Sequence, residues 1–312
     1  MAKKYTPRPL VSFDWAIKKL LRNKAEFGIL DGFLSVLFER EVRVQEILES
    51  QSNKEHSDDK QMVVDLLCNI SHKDLVCIEI QFNHQLDYFQ RMLYISSKII
   101  SERLMSGHKY ENVKKLYLVN VVYFDLGEGE DYVYHSKVEF KGLNRKDILG
   151  NSPGQIKKFL EEDPGGIFPE YYLLKIKRFD NQIKTQLDEW LYYFKNEALP
   201  EQYSAKGLSL VSEQLKLEKM NVKELKAYQK YKDQIVLSDS VYESAYTEGL
   251  VEGIEKGIEK GIEKGKEEGK EEGKIETLLN GYKNGLDIEL LSKITDLSQE
   301  RIREILKENG LL

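Results

Sequence analysis

The sequence has little cysteine and lacks any apolar run long enough to cross a membrane. Two cysteines, Cys68 and Cys77, in 312 residues argue against a disulfide scaffold and predict reduced thiols in a cytosolic protein. A zinc site would need two more good ligands, which no Cys or His cluster supplies. No apolar run approaches roughly 18 residues, and the basic N-terminus lacks the apolar region of an export signal. We therefore expect a cytoplasmic protein without membrane spans.

The chain also lacks the excess of positive charge that is typical of a generic DNA-coating protein. Its formal net charge is −6, and residues 248–274 supply half of it, with nine Glu against six Lys. A local basic surface can still bind a polyanion, because the charge of a patch matters more than the total. The charge therefore argues against a coat protein but allows an enzyme that contacts nucleic acid locally.

The composition predicts a sizeable core under a heavily charged surface, with 41% hydrophobic and 32% charged residues. Hydrophobic periodicity predicts helices over residues 14–21 and 30–40 and a short strand over 42–48. Residues 49–60 are polar and without periodicity, which predicts a loop.

The most informative stretch consists of two apolar, partly β-branched segments, residues 61–70 and 75–82. Four turn-forming residues, Ser71 to Asp74, join them, so we predict a β-hairpin. An amphipathic helix over 86–106 follows and ends at Gly107, where a glycine is favoured.

The rest of the chain predicts further strands and then helices. Residues 115–124 form a buried strand, 132–140 its neighbour, and 169–179 a further edge strand. This mixed order of helices and strands predicts an α/β sandwich with a central mixed sheet. From residue 181 onward the pattern becomes helical, with helices expected over 182–196, 207–217 and 222–233.

Residues 248–274 form a repeat in which glycine recurs at every fourth position from 249 to 273. On an α-helix this step drifts by only about 40° per repeat, so the glycines form a slowly winding stripe. Each glycine costs ~1 kcal/mol relative to alanine, and Glu–Lys pairs return only ~0.3–0.5 kcal/mol. The segment is therefore either a helix against which a partner helix packs, or a frayed linker; the sequence leaves both open.

The last segment, residues 275–312, has the signals of short helices separated by turns. The spacing is typical of a small helix-turn-helix unit, and a helical hairpin used for self-association fits as well. The would-be recognition helix holds only three basic residues, Arg301, Arg303 and Lys307. So few basic residues would bind DNA phosphates weakly, which favours self-association over DNA targeting.

Two carboxylates mark the predicted hairpin. Val64, Leu66 and Cys68 are expected on one strand face and Asp65 on the other; in the second strand Glu79 and Gln81 lie opposite the apolar set. A turn centred on His72 places Asp65 directly across from Glu79. Carboxylates about 5 Å apart repel unless a cation lies between them, and Mg²⁺ suits such a pair. The alternative is a surface hairpin with an acidic outer face, although Asp and Glu are poor strand formers.

Four segments occur in a characteristic order: Ser12–Leu21 (SFDWAIKKLL), Val64–Asp65, Ile78–Gln81 (IEIQ) and Phe89–Tyr94 (FQRMLY). Their order and spacing resemble the Rpn family of recombination-promoting nucleases, also described as PD-(D/E)XK nuclease family transposases. The resemblance is strongest over residues 10–125 and extends to the Gly107–Tyr110 turn and the Glu/Gly repeat with its helical end. The sequence departs from the family at Ile17, where Phe is usual, and at Asp296, where Gly is frequent.

The resemblance implies hydrolysis of DNA phosphodiesters with Mg²⁺ or another divalent cation such as Mn²⁺ or Ca²⁺. Asp65 would be the acidic metal ligand and Glu79 the second, and Gln81 would take the place of the lysine in the (D/E)XK signature. A lysine there positions or polarises the attacking water as a cation, whereas Gln orients it by hydrogen bonds alone. The three residues are the expected catalytic centre.

Four further residues are candidates for the same site. Asp14 occupies the family's N-terminal acidic position, as an outer or third metal ligand, or as a first-turn carboxylate favoured by the helix dipole. Lys18 could meet a phosphate or be an ordinary exposed lysine. Arg91 and Tyr94 share a helical face and could hold a phosphate and a sugar or base; alternatively, Arg91 pairs with Glu79 or Asp87.

The expected organisation is a nuclease core over 1–180, a helical extension over 181–247, a repeat helix or linker over 248–274, and a small helical tail over 275–312. The leading function is a metal-dependent DNA endonuclease of mobile-element, recombination-promoting or defence type that forms homo-oligomers through its C-terminal helices. The alternative is a non-catalytic, decayed nuclease that acts as an oligomerising nucleic-acid-binding or assembly protein.

Overall fold

A computed structural model describes residues 10–17, 27–48, 64–104, 109–159 and 162–312. The chain divides into two compact units, Met1–Asp239 and Ser240–Leu312. Lys18, the predicted loop over 49–60 and the predicted helix end at Gly107 lie outside the described residues. In the described ranges, no helix combines the length and the apolar character needed to span a membrane.

The described part of the first unit is built on a mixed sheet of six strands in the order β1-β2-β3-β4-β6-β5. The central strands β3, β4 and β6 are parallel, and the outer pairs are antiparallel. This sheet with flanking helices confirms the predicted α/β fold. The strands are β1 Glu46–Leu48, β2 Leu66–Asn69, β3 Asp74–Gln81, β4 Lys115–Val122, β5 Val133–Ser136 and β6 Glu170–Lys175.

Helices cover both faces of the sheet, and the described elements of the second unit are also helices. Helix α3 (Tyr88–Arg103) has buried Met92, Ile95 and Ile99 at three- and four-residue spacings, the pattern of a helix with one apolar face. The helices are α1 Phe13–Trp15, α2 Gly28–Leu37, α3 Tyr88–Arg103, α4 Pro153–Phe159, α5 Gln186–Asn196, α6 Leu208–Gln214, α7 Val222–Lys283, α8 Ile288–Thr295 and α9 Gln299–Glu308.

The order of the last two strands differs from the prediction. We expected residues 132–140 beside β4 and 169–179 at the edge, but β6 lies next to β4 and β5 is the edge of the described sheet. Burial explains the choice, because Leu173 and Leu174 of β6 are buried whereas His135 and Ser136 of β5 are exposed. Where helices cover both faces of a sheet, an inner strand is apolar on both faces, whereas an edge strand can be more polar.

The two faces of the hairpin contribute to separate hydrophobic clusters. Leu66, Cys68, Val76, Ile78 and Ile80 belong to a cluster with residues of α1, α2, α5 and α6. The opposite face belongs to a cluster around α3, which includes Leu67, Cys77, Tyr88 and Met92. The carboxylates of the hairpin therefore lie at the edge of the layer that α3 covers.

One side chain of the hairpin lies on the face opposite to its expected one. Val64 belongs to the α3 cluster together with Leu67 and Cys77, although strict alternation would place it with Leu66. The chain bends at Asp65 before β2 begins at Leu66. Side chains alternate between the two faces only within a regular strand, so the bend at Asp65 places Val64 on the other face.

The thiols of Cys68 and Cys77 are free and buried on opposite faces of the hairpin. Burial raises the pKa of Cys68 to about 12. Burial also raises the pKa of Cys77 well above its usual range, and the negative charges of Glu79 and Asp65 add to this effect. Both cysteines are thus protonated core residues and not nucleophiles.

The second unit has its own small core at the C-terminal end. Asp287 accepts a hydrogen bond from Leu290 N at the start of α8, and Ser298 accepts one from Arg301 N at the start of α9. Asp296, which ends α8, adopts φ 57°, a conformation that favours glycine. The predicted helices of this segment are confirmed. The buried residues of the core are Leu278, Leu291, Ile302, Ile305 and Leu306.

The glycine repeat lies within α7 and is helical. Apart from the adjoining residues and the nearby backbone of the same helix, a Cβ atom added at any of its seven glycines, Gly249 to Gly273, would meet no atom of the described chain within 4 Å. The structure thus favours a helix over a frayed linker and leaves room for a partner.

In a dilute sample, where the chain is a single copy, replacing Gly257 and Gly261 by alanine is expected to stabilise this helix by about 1 kcal/mol per site, which slows local amide exchange about fivefold each. Hydrogen exchange of the full chain, resolved to residues 248–274, measures the effect. Gly281→Ala is the matched control: its Cβ would lie 2.6 Å from Cδ2 of Leu291, a buried side chain of the small core, so we expect no comparable gain in stability there. Faster exchange in the repeat variants would instead mean that a partner helix packs on the glycines.

Candidate active site

Asp65 and Glu79 lie opposite each other where β2 begins and β3 approaches its end. Leu66 pairs with Ile78, which places Asp65 across from Glu79 as the hairpin register predicted. Ile80 N donates a hydrogen bond to Asp65 Oδ2 at 2.7 Å, and Asp65 N donates one to Glu79 Oε1 at 3.2 Å. Each carboxylate is thus bonded to the backbone of the opposite strand, which limits the rotamers of both side chains.

The turn of the hairpin sets this register. Ser71 Oγ accepts hydrogen bonds from Lys73 N at 3.1 Å and from Asp74 N at 3.0 Å. Ile70 N donates to the carbonyl of Asp74 and closes the turn. Because a slip by one residue would move every side chain to the other face, this closure decides which carboxylates meet.

Glu79 is the buried member of the pair, with 3% of its surface exposed. Burial raises the pKa of Glu79 to about 7, and the charge of Asp65 raises it further against the opposing effect of Arg91. The carboxyl therefore exchanges its proton close to neutral pH. Groups with such shifted pKa values are frequent at functional sites.

Arg91 contacts this pair from α3. Its Nη2 lies 3.2 Å from Glu79 Oε2, and its side chain is 37% exposed. The sequence left open whether Arg91 contacts DNA or pairs with a carboxylate. In the structure Arg91 pairs with Glu79, and the DNA contact stays a prediction. Tyr94, on the same helix, is 42% exposed.

A buried polar pair that the sequence interpretation missed lies next to Glu79. Asn120 is aligned with Glu79 in the β3–β4 ladder and is fully buried. Its Nδ2 donates to Leu118 O at 3.2 Å and Tyr172 O at 3.3 Å, and its Oδ1 accepts from Tyr88 Oη at 3.2 Å. A lone Asn within the apolar segment KLYLVNVVYF was the signal that could have identified it.

Tyr88 joins this pair to helix α3. Burial, followed by the charge of Glu79, raises the pKa of its hydroxyl well above the ordinary value. The hydroxyl therefore remains a hydrogen-bond donor and fixes the first turn of α3 to β4. Arg91 lies three residues further along the same helix, so this bond also sets the position from which Arg91 reaches Glu79.

Gln81 ends β3 on the same side as Glu79. It is half-buried, and its Nε2 donates to Asn83 O at 3.3 Å. This bond is exposed, so the amide is free to exchange it for another partner. The position fits a group that hydrogen-bonds water beside the pair.

Asp14 is completely buried in α1. Burial raises the pKa of the Tyr193 hydroxyl. The negative charge of nearby Asp14 is one of several smaller effects that raise this pKa further. Among the described residues, no group of three or more Asp, Glu, His or Cys side chains is arranged to hold a metal ion. The structure therefore does not bring Asp14 together with Asp65 and Glu79 in such a group.

The chemistry of the Asp65–Glu79 pair fits a divalent cation. Both groups supply hard oxygen donors, and Mg²⁺ in proteins is commonly held by one or two carboxylates together with water. The negative charge of Asp65 acts to raise the pKa of Glu79, and a cation between the two carboxylates would offset this repulsion.

Comparisons with known proteins agree with this geometry at the level of the family. The chain has no significant match among curated proteins or among solved structures. A family model described as PD-(D/E)XK nuclease family transposase matches residues 11–245, more than half of the chain. The predicted resemblance is thereby confirmed, and the chain belongs to the PD-(D/E)XK nuclease family transposases.

Proposed function

We propose that this protein is a metal-dependent DNA endonuclease of mobile-element, recombination-promoting or defence type. Membership of a nuclease family supports nuclease activity in general. The proposal of metal-dependent DNA cleavage rests on the Asp65–Glu79 pair, which two hydrogen bonds from backbone N–H groups hold at 2.7 and 3.2 Å. A carboxyl pair of this kind with a pKa near 7 at Glu79 fits reversible cation binding at neutral pH.

In this proposal Asp65 and Glu79 hold the cation, which is Mg²⁺ or another divalent ion such as Mn²⁺ or Ca²⁺. When bound, the cation supplies Lewis-acid polarisation of the phosphodiester and offsets the charge that develops on it. Glu79 must release its proton before it can serve as a ligand, so activity should rise with pH up to about 7. Arg91 and Tyr94 are the proposed DNA contacts from α3, with Lys18 as a further candidate for a phosphate contact. Asp14 is a candidate outer or third metal ligand.

Gln81 is proposed to orient the attacking water by hydrogen bonds. Gln81→Ala should lower the cleavage rate by about 10²-fold, the lower end of what a positioned acid–base or orienting group contributes. The matched control is Gln90→Ala, which makes the same change at an exposed position of α3. Single-turnover cleavage of a labelled duplex measures both; equal rates for the two variants would exclude Gln81 from the chemistry.

Supercoiled plasmid tests the proposed function most directly. Purified protein is incubated with plasmid in Mg²⁺, in Mn²⁺ and in EDTA, alongside Asp65→Ala. We expect nicked or linear DNA with the wild type in metal alone, and none with the variant. Absence of cleavage by the wild type in every divalent metal would favour the non-catalytic alternative.

We also propose that copies of the chain associate through the second unit. Ile254, Ile258 and Ile262 follow the glycines of the repeat at every fourth position, and each is more than half exposed. Exposed isoleucines beside a glycine stripe form a surface on which a second helix can approach closely. This surface is the observation that favours the assembly function. Sedimentation of the full chain tests it: Gly257→Ala and Gly261→Ala should weaken association at high concentration, and undiminished association would contradict packing on the glycines.

A further inference from the structure

Arg91 has a different environment from the carboxylate it contacts. The side chain of Glu79 is 4% exposed, whereas that of Arg91 is 37% exposed. The guanidinium thus lies between the buried carboxylate and solvent. Besides Arg91, the hydrogen bond described for Glu79 comes from Asp65 N alone. Arg91 is therefore the counter-ion that stabilises the ionised form of Glu79 when no metal is present.

A divalent cation changes the charge balance of this cluster. Without it, the Glu79 carboxylate accepts a hydrogen bond from the Arg91 guanidinium. With it, a second cation competes for the same carboxylate, and the attraction between Arg91 and Glu79 weakens. A guanidinium has five N–H donors, and a phosphate accepts two of them side by side. An incoming DNA phosphate therefore suits the released arginine.

We propose that Arg91 is an exchangeable counter-ion, which pairs with Glu79 in the metal-free protein and transfers to a DNA phosphate when a cation binds. The inference rests on the proposed function and deepens it. Tyr88, bonded to Asn120 at 3.2 Å, keeps the first turn of α3 in place. The exchange then requires only a change of side-chain rotamer at Arg91, and no movement of the helix.

The exchange predicts that cation and DNA strengthen each other's binding. Each ligand removes a competitor of the other: the cation displaces Arg91 from Glu79, and the phosphate keeps Arg91 away from it. By linkage the two effects are equal in size. We expect a coupling of about tenfold, within the usual range for linked sites.

Two variants and one matched control test this coupling. Arg91→Gln removes the charge, and Arg91→Lys keeps it but loses the paired N–H donors. Lys98→Gln removes the same charge elsewhere on α3, where Lys98 pairs with Glu102. Calorimetry at pH 8 measures Ca²⁺ binding without DNA, and fluorescence anisotropy measures binding of a labelled duplex with and without Ca²⁺. Thermal melting confirms that each variant is folded.

The expected results differ among the variants. Arg91→Gln should bind Ca²⁺ several-fold more tightly than the wild type, because the competing cation is gone, and should lose most of the coupling. Arg91→Lys should keep near wild-type Ca²⁺ affinity with a weaker coupling, and Lys98→Gln should keep both. Ca²⁺ affinity and coupling unchanged from the wild type in Arg91→Gln would overturn the exchange. If Arg91→Gln does not fold, coupling as strong as in the wild type in Arg91→Lys would overturn it instead.

The outcome is separable from that of the proposed nuclease activity. Coupled binding of Ca²⁺ and duplex without plasmid cleavage in any metal would contradict the endonuclease and support the exchange. Metal-dependent cleavage with no coupling in the wild type would support the endonuclease and contradict the exchange. Neither binding measurement requires the DNA to be cut.

Discussion

Asp65→Asn is expected to lower the rate of DNA cleavage by about 10³-fold, at the upper end of the loss from removing one charge-stabilising group. The substitution keeps the shape of the side chain. Its amide oxygen can still accept the hydrogen bond from Ile80 N, which is 2.7 Å long in the wild type. The fold of the hairpin should therefore survive, and only the negative charge that attracts a cation is lost.

Initial rates of plasmid nicking in Mg²⁺ measure this effect, together with thermal melting of the same samples. Asp74→Asn is the matched control, because it makes the same change at the start of β3, where Asp74 contacts Arg40 at 3.9 Å. We expect the control to cleave at the wild-type rate. Undiminished cleavage by Asp65→Asn would mean that the cleaving centre lies elsewhere in the chain.

Glu79→Gln is expected to abolish cleavage and at the same time to stabilise the metal-free fold at pH 8. Burial, and then the charge of Asp65, raises the pKa of Glu79 from the ordinary 4.5 to about 7. A shift of this size corresponds to a penalty of about 3 kcal/mol on the ionised, folded protein. A neutral glutamine does not carry that penalty, and its one amide oxygen can keep one of the two hydrogen bonds that Glu79 accepts from Asp65 N and Arg91.

The pH dependence of the metal-free protein should show the same effect. Below about pH 4.5 the carboxyl is protonated in both the folded and the unfolded chain, so its contribution to stability is fully present. As the pH rises the unfolded chain ionises first, and the folded chain loses stability until about pH 7. This part of the decline should be absent in Glu79→Gln.

Urea unfolding in EDTA at several pH values measures both effects, and Glu170→Gln is an informative control. Burial acts to raise the pKa of Glu170, but hydrogen bonds from Lys115 and His135 outweigh it and lower the pKa. Glu170→Gln should therefore lower stability at pH 8, whereas Glu79→Gln should raise it. Loss of stability in both variants would contradict the interpretation of Glu79 as a strained, functional carboxyl.

The centre of the candidate site could be predicted from the sequence because its geometry is local. A turn at Ser71 to Asp74 and the alternation of strand side chains are enough to place Asp65 opposite Glu79. The same local patterns indicated most helices and strands, and the order of motifs indicated the family. In each case the residues that interact are close together in the chain, so periodicity and turn chemistry contain the needed information.

Tertiary structure alone decided which distant segments meet. The position of β6 between β4 and β5 depends on how much apolar surface each strand buries against elements far away in sequence. The bend at Asp65 that moves Val64 to the other face depends likewise on packing against α3. The contact of Arg91 with Glu79 and the Tyr88–Asn120 bond depend on how α3 packs on the sheet. Such packing is a joint property of many side chains, and no local pattern specifies it.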